Sequence, residues 1–185
     1  MIKKLKQLNI IDKISRDKKI YYYFIIFLAG AFAGWIYEEI FYLIEDGILV
    51  NRGFLYGPYL PVYGWGAVLM VFLLKRFKQN PLVFFVLAMF VTGILEYFTG
   101  YIMWEAYNTR WWDYTGLFLN LDGYICLRSL ISFAIGGLLL IYIIEPLICK
   151  YINKTNNKTL KILCFTMFVI IVVDYILCFI IRHPL

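Results

Sequence analysis

Five ionisable residues interrupt stretches that are otherwise apolar: Glu38, Glu39, Glu96, Arg128 and Asp174. A charge inside a membrane-spanning segment is costly and generally faces a bundle interior, a wet cavity or an opposite charge. Counted at about 1.5 Å per residue, all five fall in the same half of their segments, towards one side of a bilayer. Carboxylates gathered there around one arginine suit a cation, a polar ligand or a shared proton. The plainer reading is that Arg128 neutralises one glutamate and the pair only fixes helix register.

Helical spacing says where some of these groups point. Gly30, Gly34 and Glu38 follow at i, i+4 and i+8, so Glu38 continues a small-residue stripe that packs on another helix. Thr92, Gly93, Glu96 and Gly100 share a face in the same way, and so do Arg128, Ser132 and Gly136. Glu39 lies about 100° round from Glu38, which points it either to the membrane interface or against the second span.

The elements that must carry these groups follow from composition. Of 185 residues, 63% are apolar, 20% aromatic and only 16% charged. A water-soluble domain carries about a quarter charged residues, and disordered chains are poor in aromatics. Both classes are excluded, leaving an all-α, polytopic integral membrane protein.

A bilayer core of about 30 Å needs about 20 mainly apolar helical residues. Five stretches are expected to span it: 20–44, 58–74, 81–104, 124–148 and 160–181. The second is the weakest, being short and carrying Pro61, Gly64 and Gly66. These form one transmembrane domain over 20–185, preceded by a basic tail over 1–19.

Loop charge sets the expected orientation. Lys and Arg number seven before the first span, then one, three, one and four in successive connections, and one after the last. By the positive-inside rule the N-terminus is cytoplasmic and the C-terminus outside. The tail is either an interfacial helix built on Leu5, Leu8 and Ile11 or a solvated topology signal. The run after it is too long for a secretory signal core and has no small-residue cleavage site. The location expected is therefore the cell membrane, with the lipid bilayer as first partner.

Several chemistries are set aside. The net charge of +6 is distributed at span boundaries, with no basic, aromatic-interleaved face for nucleic acid. The four cysteines form no C-x-x-C pair and the one histidine is His183, so no metal site and no cofactor are expected. Cys126 and Cys178 fall towards the outer side, with packing as their default role. A phosphate-binding G-x-x-x-x-G-K-[ST] loop is absent, so ATP hydrolysis would require a separate subunit.

Two outer connections complete the picture. The first, from Asn51 to Gly64, holds Arg52, Tyr56 and Tyr63 among glycines and prolines that set turns. The second, from Glu105 to Gly123, holds Trp112, Asp113, Tyr114 and Asn120. Tryptophan and tyrosine there are also ordinary interfacial-belt residues. The polar residues between them suggest a cap over an outer pocket.

These same residues carry a family resemblance. Gly34-Trp35 with Glu38, Asn51-Arg52-Gly53-Phe54-Leu55-Tyr56-Gly57-Pro58 and Pro61-Val62-Tyr63-Gly64 belong to it. So do Glu96 with Thr99-Gly100, Trp111-Trp112-Asp113-Tyr114, and Asn120, Gly123, Cys126 and Leu127. The chain resembles the bacterial ABC-transporter type IV (CmpB-like) membrane family over roughly residues 21–148. The resemblance implies a transport permease and specifies neither a substrate nor a catalytic residue.

The function expected is a transport permease or membrane substrate-binding component, not an enzyme. It binds a small polar or cationic solute in an outward-facing intramembrane pocket, as a homo-oligomer or with a separate ATPase or membrane subunit. The candidate binding residues are Glu38, Glu39, Arg52, Tyr56, Tyr63, Glu96, Trp112, Asp113, Tyr114, Asn120 and Arg128. One variant resembles the binding components of energy-coupling-factor transporters, with Gly30 and Gly34 meeting a membrane partner. The alternatives are an enzyme acting on lipid or envelope material, with clustered carboxylates as acid–base groups, and a scaffold or regulator of another membrane protein.

Overall fold

A computed structural model describes residues 14–49 and 53–181. The interfacial-helix motif of the tail, Arg52 and His183 lie outside the described residues. The described residues are mainly helical, with no strand beyond one isolated bridge between Leu121 and Ile125.

Six α-helices carry the architecture: α1 (Lys19–Asp46), α2 (Pro61–Leu69), α3 (Pro81–Tyr107), α4 (Leu127–Leu139), α5 (Glu145–Lys154) and α6 (Asn157–Ile181). A π-helical turn, Met70–Leu74, and a 3₁₀ turn, Lys75–Phe77, extend α2 without a break. A second π-helical turn, Leu140–Ile144, joins α4 to α5 as one long rod. Four rods are long and apolar enough to cross a membrane: Arg16–Glu45, Pro81–Tyr107, Leu127–Lys154 and Asn157–Ile181. The second expected span is helical from Pro61 to Phe77, later than its sequence bounds and shorter than the other four.

Local chemistry sets the boundaries. Gly47 ends α1 with a φ of +68°, and Asn108 ends α3 with a φ of +50°, the left-handed conformation that closes helices. Asn80 starts α3 by accepting from the Val83 N–H at 3.3 Å, with Pro81 in the first turn, where a missing N–H costs nothing. Cys126 and Ser129 cap α4 reciprocally, thiol to backbone and hydroxyl to backbone. Pro146 lies just beyond the second π turn. A proline has no N–H to give and crowds the carbonyl one turn back, and the wide turn ahead of it relieves both problems.

Two hairpins follow the same plan. In each, a long helix rises to a long connection and a second rod returns: α1 packs on α2, and α3 on α4. Each returning rod contains one of the π turns. The connections share one end of the bundle, the loop end, while Lys75, Arg76, Lys78 and Lys154 lie at the other, the basic end.

Small residues permit these contacts. A Cβ at Gly30 would collide with Ala67, and one at Gly34 would stand inside the Tyr63 ring. The Gly30–Gly34 stripe thus seats α2 within the chain. The core joins Tyr22 and Ile26 of α1 to Met70, Val71, Phe84, Ala88, Ala134 and Ile141. Large apolar side chains point outwards, among them Phe90, Phe98, Phe165 and Phe179, which suits lipid and not water.

Candidate functional site

The two hairpins enclose a cavity of about 630 Å³ at the loop end. Glu38 of α1, Tyr63 of α2, Glu96 of α3, Arg128 and Ser129 of α4, and Trp112, Asp113 and Tyr114 of the second connection line it. A smaller cavity of about 330 Å³ shares Tyr37, Tyr63, Tyr114, Ser129 and Phe133 with the first. It reaches towards the basic end, to Met70 and Ile144.

Backbone proximity places the first carboxylate. Because Gly34 has no side chain, the Tyr63 ring lies against α1. Its hydroxyl then donates to Glu38 Oε1, one turn further along. Tyr63 also packs on Phe133 of α4, with ring centroids 4.9 Å apart, so one aromatic joins α1, α2 and α4.

Glu96 is the most enclosed acid of the cavity, 4% exposed. Tyr114 Oη donates to its Oε1 at 2.9 Å, and Ser129 Oγ lies 2.9 Å from its Oε2. No lysine or arginine ion-pairs with it among the described residues. Ser129 Oγ is also 2.9 Å from the Cys126 carbonyl, and a serine hydroxyl has one proton to give. When that proton is directed to Cys126, Glu96 in its acid form can donate to Oγ. The geometry therefore accommodates Glu96 charged or protonated. Burial first, and then the Glu96 charge, pushes the Tyr114 phenol above its usual range, so Tyr114 remains a donor.

Arg128 pairs with a glutamate at the rim of the cavity. Its Nη1 lies 2.8 Å from Glu45 Oε1, and its guanidinium stands 4.7 Å over the Phe41 ring. Both members of the pair are half exposed at the rim. Arg128 therefore shares the cavity with Glu38 and Glu96 while its ion pair goes to a residue that spacing did not single out.

The second connection is a tightly tied cap. Asp113 Oδ1 accepts from Thr115 Oγ1 at 2.6 Å, from the Thr115 N–H at 2.9 Å and from Arg110 at 3.0 Å. These bonds, those from Thr115 foremost, hold the Asp113 carboxyl below the usual carboxylate range. Trp112 Nε1 donates to the Tyr124 carbonyl at 2.9 Å. Gly123, with a φ of +73°, lies where any Cβ would strike the Arg110, Asp113 and Thr115 cluster. Trp111 stacks on Phe54 at 5.9 Å and 12°, which fastens the two connections together.

Other candidates lie elsewhere. Glu39 is buried off the cavity wall. Tyr56 contributes its backbone N–H, which donates to Asp174 at 3.1 Å, while its side chain is exposed. Asn120 Nδ2 closes a turn on the Leu117 carbonyl at 2.9 Å. Arg52 lies outside the described residues. Asp174 is a clamp away from the cavity: it also accepts from the Gly57 N–H at 2.9 Å and from the Tyr59 hydroxyl. Cys126 and Cys178 are buried thiols without a disulfide. Among the described residues, no group of three or more His, Cys, Asp or Glu is placed to hold a metal ion.

Ser129 escaped the sequence reading because it is one residue, about 100° of helix, from the Arg128 face. A second polar centre escaped it altogether. At the basic end Glu145 is fully buried, with its Oε1 2.8 Å from Lys75 Nζ. The same oxygen accepts from Tyr22 Oη at 2.7 Å and from Cys149 Sγ at 3.1 Å. The available signal was an acid inside an apolar run and directly before a proline.

With this geometry in place, the comparisons identify the group. The chain belongs to the family described as Putative ABC-transporter type IV, whose model matches residues 25–179. The match includes most of α6, which the recognisable motifs left out. No curated protein and no solved structure matches the chain. Family and helices together make it a transport-related membrane protein.

Proposed function

Proceeding from that membership, we propose that the chain is the membrane component of a bacterial transporter and receives a small cationic solute in its loop-end cavity. The loop end faces outwards and the basic end faces the cytoplasm, in keeping with the positive-inside distribution of lysine and arginine. A separate subunit supplies any ATP hydrolysis, and it meets the short basic connections.

The observation that carries this reading is Glu96. An acid 4% exposed, held by two hydroxyls and no base, sits on the wall of a cavity of about 630 Å³. Desolvating a carboxylate beside neutral donors costs several kcal/mol, and a cation arriving in the cavity recovers part of that cost. Tyr37, Trp65 and Phe133 also line the cavity, and aromatic rings suit an ammonium group. An organic amine therefore fits better than a bare metal ion, for which no group of three or more His, Cys, Asp or Glu is placed among the described residues.

The test is thermal stabilisation of the purified protein by a panel of amines, amino acids and metal cations. A stabilising amine should lose its effect in Glu96→Gln, which keeps the shape and removes the charge. Equal stabilisation of both proteins would sink the assignment.

A further inference from the structure

The two returning rods place opposite charges at equivalent points. Lys75 directly follows the π turn Met70–Leu74, and Glu145 directly follows the π turn Leu140–Ile144. The two side chains meet at 2.8 Å. The smaller cavity ends on these same turns, at Met70, Leu140 and Ile144. Above it lies the larger cavity, joined through shared Tyr63 and Ser129 walls.

We infer that the Lys75–Glu145 ion pair is the closure at the basic end of a solute route that runs from the larger cavity through the smaller one. This inference rests on the reading that the larger cavity receives the solute, and it makes the chain a conduit as well as a receptor.

Three observations support a closure over a purely structural pair. The pair is not optimised for stability: Glu145 Oε2 is buried and has no hydrogen-bond partner among the described residues. A buried ion pair is in any case seldom better than well-packed apolar residues. Its members differ in exposure, Lys75 at 21% and Glu145 at 0%, so the lysine can withdraw to water while the acid stays. Each partner also directly follows a π-helical turn, a feature frequent at functional sites. Between the pair and the loop end, the smaller cavity is lined by Gly30, Gly34, Gly66, Ala67 and Gly136. Of these, Gly136 borders open space, while Gly30 and Gly34 are closely packed against α2.

The route can be probed without knowing the solute. A Cβ at Gly136 meets nothing within 4 Å, so Gly136→Cys places a thiol in the smaller cavity at little structural cost. The four native thiols are buried and provide the background. Oriented proteoliposomes would be treated from one face or the other with a membrane-impermeant maleimide, and adducts at position 136 counted by peptide mass spectrometry.

With the pair intact, labelling from the loop end should exceed labelling from the basic end by about tenfold or more. In Gly136→Cys combined with Lys75→Gln and Glu145→Gln, the rate from the basic end should rise to within a few-fold of the other. Tyr22→Phe, which removes one donor to Glu145 and keeps the pair, should give an intermediate rise if the doubly neutral protein fails to fold. Equal labelling from both faces with the pair intact would overturn the closure. So would no rise from the basic end in every variant that elutes as the unaltered protein does. Amine binding is read separately through Glu96→Gln, so loss of the solute reading and loss of the closure give different results.

Discussion

The Ser129 hydroxyl reaches Glu96 Oε2 across the α3–α4 interface at 2.9 Å, with both residues buried. That contact joins the cavity wall to helix packing, because Gly93 one turn away leaves room for Leu130 on the same interface. Deleting the donor leaves a buried carboxylate oxygen short of a partner, at a cost of about 1–3 kcal/mol. Ser129→Ala should therefore lower the unfolding free energy by that amount in detergent titrations. A change below about 0.5 kcal/mol would show that Glu96 is solvated from the cavity and needs no protein donor.

Gly34 and Gly136 should respond oppositely to the same substitution. A methyl at Gly34 strikes the Tyr63 ring and displaces the hydroxyl that holds Glu38, whereas one at Gly136 enters open space. Gly34→Ala should destabilise by about 1–3 kcal/mol. Gly136→Ala should be neutral or stabilising by about 0.4–1 kcal/mol, through the restricted unfolded chain. Thermal unfolding of the two variants side by side measures the contrast.

Arg128 and Glu45 form an exposed pair at 45% and 46% side-chain accessibility. Exposed pairs are worth about 0–1 kcal/mol and are screened by salt. Arg128→Ala should shift stability by less than about 1 kcal/mol, with a smaller shift at high salt. A loss of several kcal/mol would mean that the guanidinium supports the cavity wall more deeply than its rim position indicates.

The cap should loosen in acid. Thr115 and then Arg110 hold the Asp113 carboxyl below its usual range, so its folded value lies below its unfolded value. Its stabilising contribution is complete above the ordinary aspartate value of about 3.9 and disappears as pH falls through the lower folded value. The difference in unfolding temperature between the parent and Asp113→Asn should narrow between about pH 5 and pH 2. A difference that stays constant over that interval would remove Asp113 from the cap.

Much of the fold is legible in the sequence because lipid imposes it. Apolar runs, Pro81 and small-residue spacing at Gly30, Gly34 and Gly93 mark the rods and several contacts. Pairings depend on rotation and register, which no count of apolar residues supplies. Arg128 was expected among the acids of three spans, yet its long side chain reaches Glu45 near the C-terminal end of α1. Glu38 and Glu96 stood out because they interrupt apolar runs. Their partners Tyr63, Tyr114 and Ser129 are common residue types, visible as a set only once four elements converge. Glu145 was hidden by its position, since an acid near a span boundary reads as ordinary interface until Lys75 is placed against it.

The Asp174 clamp has a consequence for the order in which the molecule is made. Its bonds to the Tyr56 and Gly57 amides close over 118 and 117 residues of chain. At about 5–20 residues per second, synthesis brings the clamp out roughly 6–24 s after the loop it secures. The first connection must therefore wait, unlatched, until α6 has entered the bilayer. Biogenesis thus has a late fastening step, and a ribosome that stalls before α6 leaves the first connection without its Asp174 clamp.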